Sequence, residues 1–255
     1  MTDASVLLFV HGGGTFTVAD GVQPPKAGSL LFCRHLPVRA GDRVLEIGTG
    51  IGLAAVLAAR AGARVVATDV VDAAVRCARA NAVVNGVADR VEVLLGDGFA
   101  PVRGRVFDLI CTSPPQMPTP ADRERADAAA AADNGGRDGW ALLDRVIAGA
   151  PAHLAPGGRL VFTLFGFLGV KAALAKLHDA GFEEPTILGQ ETQAFPRIGY
   201  ERLEHIRALD SEATLPPSGW PATVERYVIQ GTWQGTWQGT WQGAWPGIRT
   251  EEPSR

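Results

Sequence analysis

Three short stretches set polar side chains beside pliable backbone at places where extended segments end. The first is Glu46-Ile47-Gly48-Thr49-Gly50-Ile51-Gly52, which follows the apolar run Val44–Ile47 and opens an Ala/Leu-rich segment. Glycines at alternate positions let the chain turn sharply and let a ligand approach the backbone, and open α/β sheets bind ligands just beyond the carboxyl ends of their strands. A dinucleotide fingerprint G-x-G-x-x-G counted from Gly48 needs a glycine at position 53, which is Leu53, so the spacing speaks against a nicotinamide cofactor. The second feature is Asp69, at the end of the next apolar run; a carboxylate there can accept hydrogen bonds from both hydroxyls of a ribose. The third is Asp97-Gly98-Phe99, after Val91–Leu95. Its carboxylate can accept from the amino group of an adenine, with Phe99 beside the ring. Taken singly, Asp69 reads as a helix cap and Asp97 as a turn residue. Three such features in consecutive strand-helix units point instead to an adenosine-bearing ligand.

A fourth stretch, Thr112-Ser113-Pro114-Pro115-Gln116-Met117-Pro118, follows the run Phe107–Thr112 and is expected to face the same crevice. Consecutive prolines stiffen the loop and, lacking N–H groups, offer only carbonyls to a partner. Ser113 and Gln116 add polar side chains; the bland reading is a rigid strand exit. Val10-His11-Gly12-Gly13-Gly14 is similar to the oxyanion loop of lipase-type hydrolases, but none of the serines lies in the G-x-S-x-G elbow that such a mechanism requires. Cys33, Cys77 and Cys111 are odd in number and widely spaced, so neither a disulfide framework nor a zinc site is expected, and no metal is assigned.

These residues need elements to position them. From about Arg43 to Phe165, short β-branched runs alternate with longer helical patterns, the mark of βαβ units and a parallel sheet. Strands are expected at Val44–Ile47, Val65–Thr68, Val91–Leu95, Phe107–Thr112 and Leu160–Phe165, with two more near Thr186–Leu188 and Val224–Ile229. Helices are expected at Ile51–Ala61, from Asp72 toward the Asn85-Gly86 stop, and at Val170–Ala180. The implied organisation is an N-terminal lead-in and lid segment over 1–40, an α/β domain over 41–230, and a low-complexity tail over 231–255. That tail holds three Gly-Thr-Trp-Gln copies followed by Gly-Ala-Trp-Pro. If it is extended, Trp233, Trp237, Trp241 and Trp245 fall about 13 Å apart; an edge-strand extension or unstructured tail is favoured over a base-stacking platform. Deleting Gly231 to Arg255 is expected to leave cofactor affinity nearly unchanged.

Composition narrows the partners. Hydrophobic residues are 46%, charged residues 20% and the net charge is −3, which gives a globular chain without the basic face that wraps nucleic acid. Ser5–Val10 is too short and uncharged for a signal segment, and Leu160–Val170 falls well below the roughly 20 residues of a membrane span. A reducing, cytoplasmic setting fits.

Together, Val44 to Gly52 resembles the first motif of class I S-adenosylmethionine-dependent methyltransferases, with Asp69 and Asp97 matching that family's ribose- and adenine-contacting acids. The resemblance covers roughly Phe16 to Ala180. It implies a doubly wound, mostly parallel seven-stranded α/β sheet with a reversed last strand, S-adenosyl-L-methionine as cofactor, and a cofactor set of Glu46, Gly48, Gly50, Gly52, Asp69, Asp97 and Phe99. The loop at 112–118 resembles the Asn/Asp-Pro-Pro-aromatic motif of nitrogen methyltransferases, with Ser113 in place of the amide or acid and Gln116 in place of the aromatic. The resemblance thus assigns acceptor chemistry to Ser113, Pro114 and Gln116. Phe16-Thr17-Val18 through Ser29-Leu30-Leu31, and Asn134-Gly135-Gly136-Arg137-Asp138-Gly139, resemble segments of release-factor glutamine N-methyltransferases, although the stretch before Val44 is too short for their helical recognition domain. The expected acceptor is a nitrogen of a protein side chain, such as glutamine, or of a small molecule. Nucleic-acid nitrogen methylation and a non-catalytic cofactor-binding module with a Trp-rich interaction tail are the alternatives.

Overall fold

The computed structural model describes residues 7–124 and 133–235. Of the tail, Trp237, Trp241 and Trp245 lie outside the described residues. The chain opens with a hairpin, β1 (Leu7–His11) and β2 (Gly14–Val18), followed by α1 (Ala27–His35). The parallel core comprises β3 (Arg43–Ile47), α2 (Leu53–Arg60), β4 (Arg64–Asp69), α3 (Asp72–Val84), β5 (Val91–Leu95) and β6 (Phe107–Thr112). After the Asn134–Gly139 loop come α4 (Ala141–Gly149), β7 (Leu154–Phe165), α5 (Val170–Asp179), β8 (Phe182–Ala194), the short helices α6 (Arg197–Tyr200) and α7 (Leu203–Leu209), and β9 (Thr223–Trp233).

The seven-stranded sheet has the order β5-β4-β3-β6-β7-β9-β8. Pairings from β5 to β7 are parallel, while β9 runs antiparallel between β7 and β8. The last strand is therefore reversed, as the family resemblance implies. Period-two alternation divides the strands between two cores. Leu45, Val66, Ile110 and Phe162 face α4, α5 and α7, whereas Val44, Val65, Leu109 and Val161 face α1, α2 and α3. Alanines 54, 55, 58 and 59 are all buried on α2; their small side chains let the helix lie close to the sheet.

Three boundaries differ from the sequence expectation. Strand β7 begins at Leu154 and carries Pro156-Gly157-Gly158 as an irregularity, because Phe107 pairs with Leu154 while Leu109 pairs with Arg159. Strand β8 is far longer than Thr186–Leu188, its pairing with β9 shifting at two irregularities that keep a 13-residue strand in register. Strand β9 runs through Gly231, Thr232 and Trp233, all three of which pair with β7, while Thr232 and Trp233 also pair with β8. The sheet thus extends beyond the boundary expected at 230. Gly231 fits where Leu177 and Phe182 leave no room for a side chain, and Trp233 meets Phe182 edge-on with centroids 5.9 Å apart.

The hairpin is clipped to the core by two asparagines of α3. Asn81 is fully buried; its Oδ1 accepts from the Thr17 N–H at 2.8 Å, and its Nδ2 donates to the carbonyls of Thr17 and Ile51. Asn85 exchanges two bonds with the backbone of Thr15. Gly12 and Gly13 form the hairpin turn and pack on Leu57 and Arg60, which gives the His-Gly-Gly-Gly sequence a structural role outside the cleft. Among the described residues no helix is long and apolar enough to cross a membrane, and no cluster of His, Cys, Asp and Glu could hold a metal.

Candidate active site

The carboxyl ends of β3, β4, β5 and β6 open into one cleft of about 750 Å³, within the usual size of small-molecule sites. Glu46, Gly48, Gly50, Asp69, Asp97 and Ser113 all line it, so residues read at separate strand ends converge. After β3 the chain is pinned to β4, because the N–H groups of Gly48 and Thr49 both donate to the Thr68 carbonyl, at 2.9 and 3.1 Å. Gly48 and Gly50 have φ of +78° and +56°, and a Cβ at either would project into open space. The loop is a cradle whose volume a side chain would occupy, as expected where a ligand rests on backbone.

Glu46 is buried at the base of this cradle. Its Oε2 accepts from Thr49 Oγ1 at 2.7 Å and from the Ala55 N–H at 3.0 Å. Burial outweighs these donors, and the nearby Asp69 charge adds to it, so the Glu46 carboxyl is pushed up to about 8. Asp69 holds the mouth of the loop: Oδ2 accepts from the Gly50 N–H and Oδ1 from the Val71 N–H, both at 2.9 Å. Each oxygen keeps a lone pair for a ligand hydroxyl. Asp97 is exposed at the rim and ion-paired with Arg145.

Phe99 departs from the sequence expectation. It does not line the main cleft but stacks on His153, with centroids 4.6 Å apart and planes within 2°, and packs against Gly149 in an adjoining recess. The local reading missed it because its partners are more than 40 residues away.

The Ser-Pro-Pro-Gln loop also proves more structural at one end than its position implied. Gln116 is 2% exposed and spends both ends of its amide on β7: Nε2 donates to the Thr163 carbonyl at 2.5 Å, and Oε1 accepts from the Phe165 N–H at 3.3 Å. Gln116, which also lines the cleft, thus serves as a brace that splices the loop onto the end of β7. The Asn134–Gly139 loop holds the other side. The Gly135 N–H donates to the Met117 carbonyl at 3.0 Å and the Met117 N–H to the Asp133 carbonyl at 3.2 Å, and a Cβ on Gly135 would come within 2.6 Å of the Gln116 carbonyl carbon. Asp138 accepts from the Trp140 N–H at 3.0 Å, an Asx turn leading into α4.

Ser113 stays half-buried at the cleft. Its Oγ lies 3.1 Å from Thr163 Oγ1, which in turn accepts from Arg226 Nη2 at 3.0 Å. Thr163 is fully buried, so its hydroxyl hydrogen needs an acceptor, and Ser113 Oγ is the one in reach. The chain Arg226 to Thr163 to Ser113 then donates in one direction and leaves the Ser113 O–H and a lone pair for the cleft. Arg226 was not legible in the sequence, since nothing local marks one arginine in the expected strand 224–229.

The methyltransferase small-domain model matches residues 14–130. A Methanocaldococcus jannaschii protein assigned provisionally as a protein N5-glutamine methyltransferase is 33% identical over 188 residues, 73% of this chain and 91% of that one. Release factor glutamine methyltransferases of Gloeobacter violaceus and Cereibacter sphaeroides are 38% and 40% identical over 51% and 57% of this chain. There the match spans only 46% and 54% of the relative's length. Among solved structures, the Thermus thermophilus 16S rRNA N2 G1207 methyltransferase, in complex with AdoMet and guanosine, superposes with a TM-score of 0.58 over 90% of this chain and 50% of that one, at 19% identity. A Pyrococcus furiosus methyltransferase does so at 0.57 over 87% and 89%, at 18% identity; at such identities the likeness establishes the fold.

Proposed function

Because the chain belongs to the family of small-domain methyltransferases related to the protein N5-glutamine methyltransferases, we propose that its cleft transfers a methyl group from S-adenosylmethionine to a neutral nitrogen of a protein side chain or small molecule. The observation that carries this reading is the single cleft shared by the Gly48–Gly50 cradle, Asp69 and Ser113. S-adenosylmethionine supplies a methyl on a sulfonium, an electrophile that needs no metal. The residues fit it: two glycines leave open the space a Cβ would fill, and Asp69 has a free lone pair on each oxygen for the ribose hydroxyls. Glu46 adds a buried carboxyl below the cradle, and Asp97, which lines the rim, is the proposed partner of the adenine amino group.

On the acceptor side, the Ser113 oxygen accepts a hydrogen bond from the nucleophile's N–H, which orients its lone pair. The Pro114 carbonyl is the second acceptor on the same loop. No strong base is required for a neutral nitrogen, so rate comes from proximity, orientation and exclusion of water. Gln116 braces the loop rather than touching the acceptor.

The test is calorimetric titration with S-adenosylhomocysteine, followed by tritiated-methyl transfer to protein, nucleic-acid and small-molecule fractions. Asp69→Ala is expected to weaken cofactor affinity about tenfold or more, since a charged hydrogen bond is worth roughly 1.5–3 kcal/mol. Unchanged affinity in a folded Asp69→Ala chain would falsify the ribose assignment. Saturable S-adenosylhomocysteine binding without any methyl transfer would favour the non-catalytic alternative.

A further inference from the structure

Arg226 is the anomaly of the cleft. It stands on β9, opposite Phe165 of β7, is 6% exposed, and lines the same cavity as Ser113. Its guanidinium carbon sits 3.7 Å from the Phe165 ring centroid. On the other side a Cβ on Gly28 would come within 3.1–3.2 Å of Nε, Cζ and Nη2. Ring and glycine together form a slot that holds the guanidinium flat.

Within this slot the cation lacks a counter-charge. Its polar partner among the described residues is Thr163 Oγ1, a neutral oxygen, while Nε is buried with no acceptor. The acids nearest in sequence and register are committed elsewhere: Glu225 accepts from Thr192 and Gln190, and Glu191 pairs with Arg34. Desolvation alone acts on the group and pushes it down to about 9. A buried cation without a paired anion is strongly unfavourable, and a planar guanidinium is matched by a planar carboxylate through paired N–H donors.

We infer that the methyl acceptor carries a carboxylate, which docks on the guanidinium of Arg226 beside Ser113. The inference rests on reading the cleft as the methyl-transfer site. Arg226 then selects the acceptor by its charge, and the relay through Thr163 couples that contact to the hydroxyl that orients the nucleophile.

The test titrates the S-adenosylhomocysteine-loaded full chain with succinamate and with succinamide, two probes that share a carboxamide and differ in whether the far end is a carboxylate or an amide. Succinamate is expected to bind at least tenfold tighter. Arg226→Met should erase that preference while S-adenosylhomocysteine affinity stays within about twofold. Arg226→Lys, which keeps the charge without the fork, guards against misfolding of the methionine variant and should retain only part of the preference. Equal affinities in the wild type, or a full preference surviving in either variant, overturns the proposal. A wild-type chain that fails to bind S-adenosylhomocysteine overturns the cofactor reading itself, a result separate from any loss of preference between the probes.

Discussion

Glu46 gives the cleft a pH signature. Its carboxyl is raised from an ordinary 4.5 to about 8 by burial. Between those values the folded chain holds a proton that the unfolded chain has released. Stability therefore falls as pH rises through this window, by up to about 1.4 kcal/mol per unit. Glu46→Gln should flatten the dependence, and urea midpoints at pH 5.5 and 7.5 for both proteins measure it; parallel slopes would remove Glu46 as the cause. Gln116→Ala should cost roughly 1–3 kcal/mol, because it strands the Phe165 N–H and the Thr163 carbonyl without partners; a melting curve unchanged from wild type would reject the brace. Ser113→Ala is expected to lower turnover while sparing S-adenosylhomocysteine affinity, once an acceptor is in hand; full turnover would return Ser113 to a structural role. The residues proposed to hold the cofactor were legible as a group because they lie at or just after strand ends, and the sequence shows strand ends as breaks in apolar runs. The true partners of Gln116, Phe99 and Arg226 were not, since each is fixed by a residue more than 40 positions away.

At the level of elements, β9 decides where the chain can be cut. A chain ending after Gly235 keeps Trp233 against Phe182 and the full pairing with β7 and β8, whereas one ending after Gln230 loses the last three residues paired with β7 and the last two paired with β8. The chain ending after Gly235 should melt within a degree or two of the full protein, and the one ending after Gln230 several degrees lower. A thermal scan of both separates sheet from tail, and equal melting would place the end of the functional strand at 230. The repeat misled because Gly231-Thr232-Trp233 is the first copy of a low-complexity pattern and at the same time the end of a strand. Periodicity cannot divide a motif that serves two purposes; burial of Gly231 and Trp233 against α5 and β8 does so. Asn81, a polar position inside α3, likewise ties the hairpin to the end of the glycine loop through Ile51.

Over the whole molecule, the two ends of the cleft differ in how they are built. The cradle, Asp69 and Asp97 come from successive strand-helix units, so the fold class and the proposed cofactor half could be read from local patterns. The proposed acceptor half draws on α1, the β6 loop, the end of β7 and the start of β9, which meet only in three dimensions. That arrangement follows from the reversed strand: running antiparallel, β9 delivers its early residue Arg226 to the edge where the parallel strands deliver their last. The strand order also has a consequence in time. The chain is made from its N-terminus, so β3, β4 and β5 leave the ribosome before β7 and β9. Strand β8 cannot join the sheet until β9 has been made and inserted beside β7, because β9 is its neighbour there. The proposed cofactor cradle is therefore synthesised well before the strand that carries Arg226, and the residues proposed to read the acceptor are among the last to enter the sheet.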